Sequence, residues 1–146
     1  MRGVFDPQET SYWIKAWGTP YFGINEEGHV FVQPFRDGAK GDLFQLVRSL
    51  VQRGIEAPIL IRFDDIIKDR IWFLQEAFDR AIQEFQYRGS YRIAYPIKVN
   101  PQCHIVDLIE KTGQAQKLGI EVGSKPELLA VLTLSSNLES LLLCNG

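Results

Sequence analysis

The residue with the clearest chemical potential is Lys98, which closes the run Tyr91-Arg-Ile-Ala-Tyr-Pro-Ile-Lys98 ahead of Val99 and Asn100. The run reads as a buried strand that delivers one primary amine to its carboxyl end. In parallel α/β sheets and barrels that end is where ligands and chemistry collect. A partly desolvated lysine amine there is a nucleophile that condenses with carbonyl compounds. Strand parity puts Arg92, Ala94, Pro96 and Lys98 on one side and Tyr91, Ile93, Tyr95 and Ile97 on the other. The bulky side suits packing on helices, and the small Ala94 and Pro96 leave room for a ligand beside Lys98. On parity alone, a strand-end lysine that only reaches solvent is the favoured reading. Pro96 also sits awkwardly in a central strand, because proline cannot donate to the ladder.

Glu121 is the second candidate. It lies near the end of the strand Leu118-Gly-Ile-Glu-Val122 and shares parity with Gly119 and Gly123 rather than with bulky Ile120 and Val122. It either faces the same rim as Lys98 or is a solvated strand-end glutamate. Cys144 and Asn145 end the next strand at that rim, where the cysteine reads equally as a small buried residue. His104 opens a helix after Pro101-Gln102 with no acidic partner in view, so a surface or capping role is expected. Gly123-Ser-Lys lacks the full spacing of a phosphate loop, and a helix cap explains the serine, so no nucleotide site is expected. Trp13, Trp17, Tyr21 and Phe22 read as core or subunit contact rather than as a ligand cage.

The elements that must position these residues are legible from patterning. Asn25-Glu-Glu-Gly28 separates an aromatic stretch from His29-Val-Phe-Val32, the pattern of a β-hairpin. From Asp42 the pattern turns helical, with Leu43, Leu46, Val47 and Leu50 on one face and Gly54 as the stop. This marks a domain boundary near residue 40: 1–40 as an amino-terminal β segment, part of an accessory β domain, and 41–146 as the start of an α/β body. Pro58 to Phe63 reads as a short apolar strand. A long helix then begins at Asp64 or Asp65, its apolar residues Ile67, Ile71, Leu74, Phe78, Ile82 and Phe85 recurring at spacings of four, three, four, four and three before Gly89. After the lysine strand a helix over Cys103 to Lys111 turns Ile105, Leu108 and Ile109 inward and stops near Gly113. Ser124-Lys-Pro-Glu127 has the form of a capping box that starts another helix, with Leu128, Leu129, Val131 and Leu132 as its apolar part. Ser135-Ser-Asn137 ends that helix, and Ser140 to Gly146 reads as a last buried strand. Strand and helix in alternation imply a parallel sheet with helices outside.

Composition bounds the remaining classes. The 146 residues are 45% hydrophobic and 12% aromatic, a globular composition sufficient for one ordinary domain. The net charge of -2 comes without a basic cluster, so a nucleic-acid partner is not expected. Two distant cysteines, Cys103 and Cys144, support neither a zinc site nor a disulfide scaffold and fit a reducing cytoplasm. No run approaches the roughly 18 to 20 apolar residues of a membrane span or the form of a signal peptide, so a soluble protein is expected. A chain ending directly on an apolar strand is expected to be a fragment of a longer protein, since such a unit normally continues into a helix.

Five blocks, in order along nearly the whole chain, carry a resemblance: Trp17-Gly-Thr-Pro-Tyr-Phe-Gly-Ile-Asn25, Arg62-Phe-Asp-Asp-Ile66, Tyr95-Pro-Ile-Lys-Val-Asn100, Gly123-Ser-Lys-Pro-Glu-Leu-Leu129 and Cys144-Asn-Gly146. They resemble the biosynthetic arginine decarboxylases, with the lysine block the most specific. Pro101 and Val122 depart from that family's usual glutamine and alanine. The resemblance implies an α/β fold, a partial (β/α)8 TIM-type barrel preceded by the β-hairpin segment. It implies pyridoxal phosphate as cofactor, held covalently by Lys98, with Glu121 as the acidic neighbour of that amine. It also implies L-arginine as the small-molecule substrate, agmatine and carbon dioxide as products for polyamine synthesis, and a homo-oligomer at full length. Magnesium is associated with such enzymes, but the sequence offers no ligand set for it. Half a barrel lacks the parts that would grip the phosphate and read the guanidinium, so the 146 residues alone are expected to be inactive. Two alternatives stay open: a related decarboxylase or racemase acting on another amino acid, and a noncatalytic, cofactor-binding regulatory homologue.

Overall fold

The computed structural model describes residues 13–36, 38–114, 118–134 and 140–146. Two compact units divide the chain, Met1–Ile66 and Ile67–Gly146.

In the first unit, helix α1 (Ile14–Gly18) leads into the antiparallel strands β1 (Phe22–Ile24) and β2 (Val30–Val32). The expected hairpin forms because its turn is doubly tied. Asn25 Oδ1 accepts from the His29 amide at 2.8 Å, and Gly28 supplies the left-handed backbone at φ +81°. Phe31 lies across Gly23, where a Cβ would come within 2.6 Å of the phenyl ring, so the ring covers the glycine's bare backbone. Strand β3 (Gly41–Asp42) adds to β2. Asp42 then caps helix α2 (Leu43–Gln52) by accepting from the Gln45 amide at 2.9 Å, and Gly54 at φ +84° follows its end. Ile14, Tyr21, Ile24 and Val32 form the buried core. The aromatic residues divide: Tyr21 is buried, whereas Trp13 and Trp17 lie 80% and 61% exposed, so of the two expected roles, core or subunit contact, the tryptophans do not fill the first. The apolar face of α2 is only partly covered, with Leu43 and Leu50 half-buried, Leu46 and Val47 exposed and none of its residues fully buried. The segment Pro58 to Phe63 is not a strand, because among the described residues it has no ladder partner and a strand is defined by one.

In the second unit, the parallel sheet runs β4 (Ala94–Pro96), β5 (Gly119–Val122), β6 (Leu142–Cys144). Helix α3 (Asp64–Glu84), whose first turn lies in the preceding unit, comes before β4. Helix α4 (Cys103–Gly113) connects β4 to β5, and helix α5 (Lys125–Leu134) lies between β5 and β6. The register pairs Tyr95 with Ile120 and Ile120 with Leu142 on one face, and Pro96 with Glu121 and Glu121 with Leu143 on the other. The first face is the packed one. Ile97, Val106, Ile120, Val122 and Val131 form one buried cluster, and Ile71, Ile105, Ile109 and Leu118 form another, with Tyr95 touching both. Periodicity located Ile105 and Ile109 but passed over Val106, the most deeply buried side chain. The last strand is not buried as expected: Leu143 and Cys144 are exposed, because β6 is an edge in the described sheet. The expected helix stop at Ser135 to Asn137 lies outside the described residues.

Candidate functional site

The rim of this sheet gathers the residues that sequence patterning singled out. The lysine strand is shorter than expected, since it ends at Pro96 and Ile97–Val99 form a 3-10 turn. Proline at the strand's last position removes the donor that would have continued the ladder, and β4 is an edge in the described sheet, so the conflict noted for Pro96 disappears. Ile97 is 2% exposed and anchors the turn in the core, while the Lys98 side chain is 65% exposed and projects from it. Lys98 is thus presented by a turn, not buried on a strand.

Glu121 sits on the adjacent strand, on the sheet face opposite the helix-packed one. Its Oε1 lies 3.9 Å from Lys98 Nζ and accepts a 3.0 Å hydrogen bond from Asn145 Nδ2. Its own side chain is one-quarter exposed, so the carboxylate is the less solvated partner of the pair. An ion pair this long and this open contributes at most about 1 kcal/mol to stability. Its significance is geometric: three side chains from the ends of three parallel strands converge, and one oxygen faces both the amine and the carboxamide.

Beside them the capping box forms with a shift of one residue. Ser124 Oγ accepts from the Glu127 amide at 3.4 Å, while Glu127 Oε2 reaches past the serine to accept from the Gly123 amide at 2.7 Å. This fixes the junction of β5 and α5. A depression of about 250 Å³ opens there, walled by Val122, Gly123, Ser124, Lys125, Leu128 and Cys144, with Gly146 at its edge. Lys98 is not one of its walls. Cys144 is exposed here rather than buried, and His104 is an exposed residue of the first turn of α4, apart from the cluster.

Two residues of the lysine block have partners that patterning alone did not supply. The Tyr95 hydroxyl donates to the Asn100 carbonyl at 3.1 Å, and Asn100 Oδ1 accepts from the Gln102 amide at 3.2 Å. Burial pushes the Tyr95 phenol above its ordinary range, against the lowering influence of its bond to Asn100. The signal that could have found this pair was their placement on either side of Lys98 within one short block.

Comparison with known proteins bears on what such a rim is for. The family described as "Pyridoxal-dependent decarboxylase, pyridoxal binding domain" matches residues 73–146, which hold Lys98, Glu121 and Asn145. The chain belongs to this family. Among curated relatives, the biosynthetic arginine decarboxylase of Thermosynechococcus vestitus is 47% identical over 144 residues, covering 98% of this chain and 23% of its own length. That of Phocaeicola vulgatus is 45% identical over 141 residues, covering 97% and 22%. The crystal structure of the Campylobacter jejuni biosynthetic arginine decarboxylase superposes with a TM-score of 0.83 at 30% identity, over 98% of this chain and 22% of that one. The chain therefore spans less than a quarter of the length of the relatives it matches. The fold is an α/β one, the opening part of a (β/α)8 barrel preceded by the β-hairpin segment, as expected.

The residues at the rim fit a pyridoxal cofactor by the chemistry of the donor set. An aldehyde cofactor requires a primary amine that it can reach, and Lys98 offers one held near a carboxylate at the carboxyl end of a parallel sheet. Magnesium finds no comparable support: among the described residues no group of three or more histidine, cysteine, aspartate or glutamate side chains could hold a metal ion. No helix among the described residues is long and apolar enough to cross a membrane.

Proposed function

We propose that this chain supplies the lysine-bearing part of an enzyme that decarboxylates L-arginine to agmatine and carbon dioxide. The single observation that carries this reading is the Lys98, Glu121 and Asn145 cluster at the rim of a sheet whose family binds pyridoxal. Relatives named biosynthetic arginine decarboxylase, alike over nearly the whole chain, support arginine over another amino acid.

In this reading Lys98 Nζ is the covalent attachment point for pyridoxal phosphate. The cofactor, when bound, supplies the electron sink that lets a carboxylate leave as carbon dioxide. Glu121 Oε1 faces the lysine and orients its amine. Asn145 Nδ2 fixes the rotamer of Glu121, so the charge does not swing away into solvent. The open sheet face, with Ala94 and Pro96 as its small residues, gives the ligand room. The amino-terminal 1–40 segment serves as part of an accessory β domain, and the working enzyme is a cytoplasmic homo-oligomer.

The test uses the natural full-length protein carrying these residues. With pyridoxal phosphate it converts arginine to agmatine, and Lys98→Ala abolishes both the product and covalent attachment of the cofactor. Cofactor bound through Lys98 with no agmatine formed would move the assignment to another amino acid. Cofactor bound elsewhere would overturn the role of Lys98.

A further inference from the structure

The turn that presents Lys98 is short and half open. Three-residue 3-10 segments have poor internal hydrogen-bond geometry and hold their shape through outside ties. Here Ile97 secures the start of the turn in the core, while Lys98 and Val99 are both exposed, the latter by 69%. The far end is tied by the Tyr95 hydroxyl, which reaches over the turn to the Asn100 carbonyl at 3.1 Å. The Tyr95 ring packs against both hydrophobic clusters, so its hydroxyl is mounted on a side chain that the core holds in place. Asn100 in turn receives the Gln102 amide, which joins the turn to the start of α4.

We infer that Tyr95 is a positioning residue for Lys98: its hydroxyl clamps the Lys98 turn against the sheet, fixing where the amine emerges relative to Glu121. The inference rests on the proposed attachment role of Lys98 and explains why the lysine block contains this tyrosine and this asparagine. A phenylalanine would fill the same space and leave the Asn100 end of the turn untied. A tyrosine hydroxyl is protonated throughout the neutral range and stays a donor there, and burial raises the pKa of this one further.

The experiment compares the natural full-length protein with its Tyr95→Phe and Ile93→Val variants. Ile93 packs in the same cluster as Tyr95 and loosens the core without touching the clamp. The first readout is hydrogen exchange of the amides of residues 98–100 in cofactor-free protein. The second is the rate at which added pyridoxal phosphate becomes borohydride-trapped on Lys98. Tyr95→Phe is expected to speed local exchange and slow trapping, each by about fivefold, the factor set by one intramolecular hydrogen bond. Exchange along β5 stays unchanged, and Ile93→Val reproduces neither effect. Unaltered exchange and trapping in Tyr95→Phe, or the same losses in Ile93→Val, would overturn the clamp. Unprotected amides at 98–100 in the wild-type protein would overturn it without any variant. If wild-type Lys98 traps no cofactor, the proposed function fails, while the exchange measurement still decides whether the clamp exists.

Discussion

Asn145 and Glu121, which are 24 residues apart in sequence, are joined by a 3.0 Å hydrogen bond from the carboxamide to the carboxylate oxygen that faces Lys98. The bond runs diagonally between neighbouring parallel strands, since Glu121 pairs in register with Leu143 and Asn145 lies two residues further along, so the sheet itself brings the two side chains together. Asn145 is neutral, and it can restrain Glu121 without competing for the lysine's charge.

This arrangement predicts energetic coupling. In the natural full-length protein, Asn145→Ala and Glu121→Gln should each weaken pyridoxal phosphate binding. The double variant should lose less than the sum, by about 1 kcal/mol or roughly fivefold in affinity. A fluorescence titration of cofactor-free protein with the cofactor measures it. Strictly additive losses would mean that Asn145 does not act through Glu121.

Gly119 is predicted to be intolerant of a side chain for a packing reason. A Cβ there would lie 2.5 Å from the Leu141 carbonyl oxygen and 2.7 Å from the Leu141 Cβ, groups that no side-chain rotation can move away. Gly119→Ala should therefore force β5 and β6 apart and cost about 1 to 3 kcal/mol. Gly28→Ala meets open space but must adopt φ +81°, and should cost about 1 kcal/mol through the backbone alone. Denaturant unfolding of the two variants ranks them. Gly28→Ala proving the more damaging would refute the close approach at Gly119.

The start of α5 offers a finer comparison. The Ser124 bond at 3.4 Å is long, whereas the Glu127 bond to the Gly123 amide at 2.7 Å is short and charge-assisted. Glu127→Ala is expected to cost about 1 kcal/mol and Ser124→Ala less than half of that, within the range of cap deletions. Equal losses by thermal unfolding would show that the serine is the principal cap.

Much of this was legible in the sequence because local rules and tertiary packing agree. Periodicity located α2, α3 and α4, the capping box located α5, and parity separated the packed Tyr95 and Ile97 from the open side that carries Lys98 and Glu121. The failures occur where a segment needs a partner. Pro58 to Phe63 has strand composition but no ladder partner among the described residues. Leu143 reads as buried and is exposed, as are Leu129 and Leu132 in the apolar part of α5, since burial depends on what lies against a face and not on the face alone. The turn at Lys98 and the Tyr95 to Asn100 tie were hidden for a different reason. Alternation carries no information about where a strand stops, and a side chain to backbone bond leaves no period.

The last prediction concerns acid stability in the first unit. Asp42 gathers three donors or partners: the Gln45 amide at 2.9 Å, Asn25 Nδ2 at 2.8 Å and His29 Nδ1 at 2.8 Å. The Gln45 hydrogen bond lowers its carboxyl below the ordinary value of 3.8 most strongly, with His29 and Asn25 adding to this against partial desolvation. A carboxyl held low in the folded state binds fewer protons than the unfolded chain does. Its contribution is thus complete above the unfolded value and is lost as pH falls through the lower folded value. Wild-type stability should accordingly drop below pH about 4 more steeply than that of Asp42→Asn, which keeps an acceptor oxygen for the helix cap but has no proton to gain. Far-ultraviolet circular dichroism during acid titration of both proteins reads the difference. Parallel acid transitions would mean that the carboxylate's charge adds nothing to the cap and the hairpin beyond what a neutral acceptor supplies.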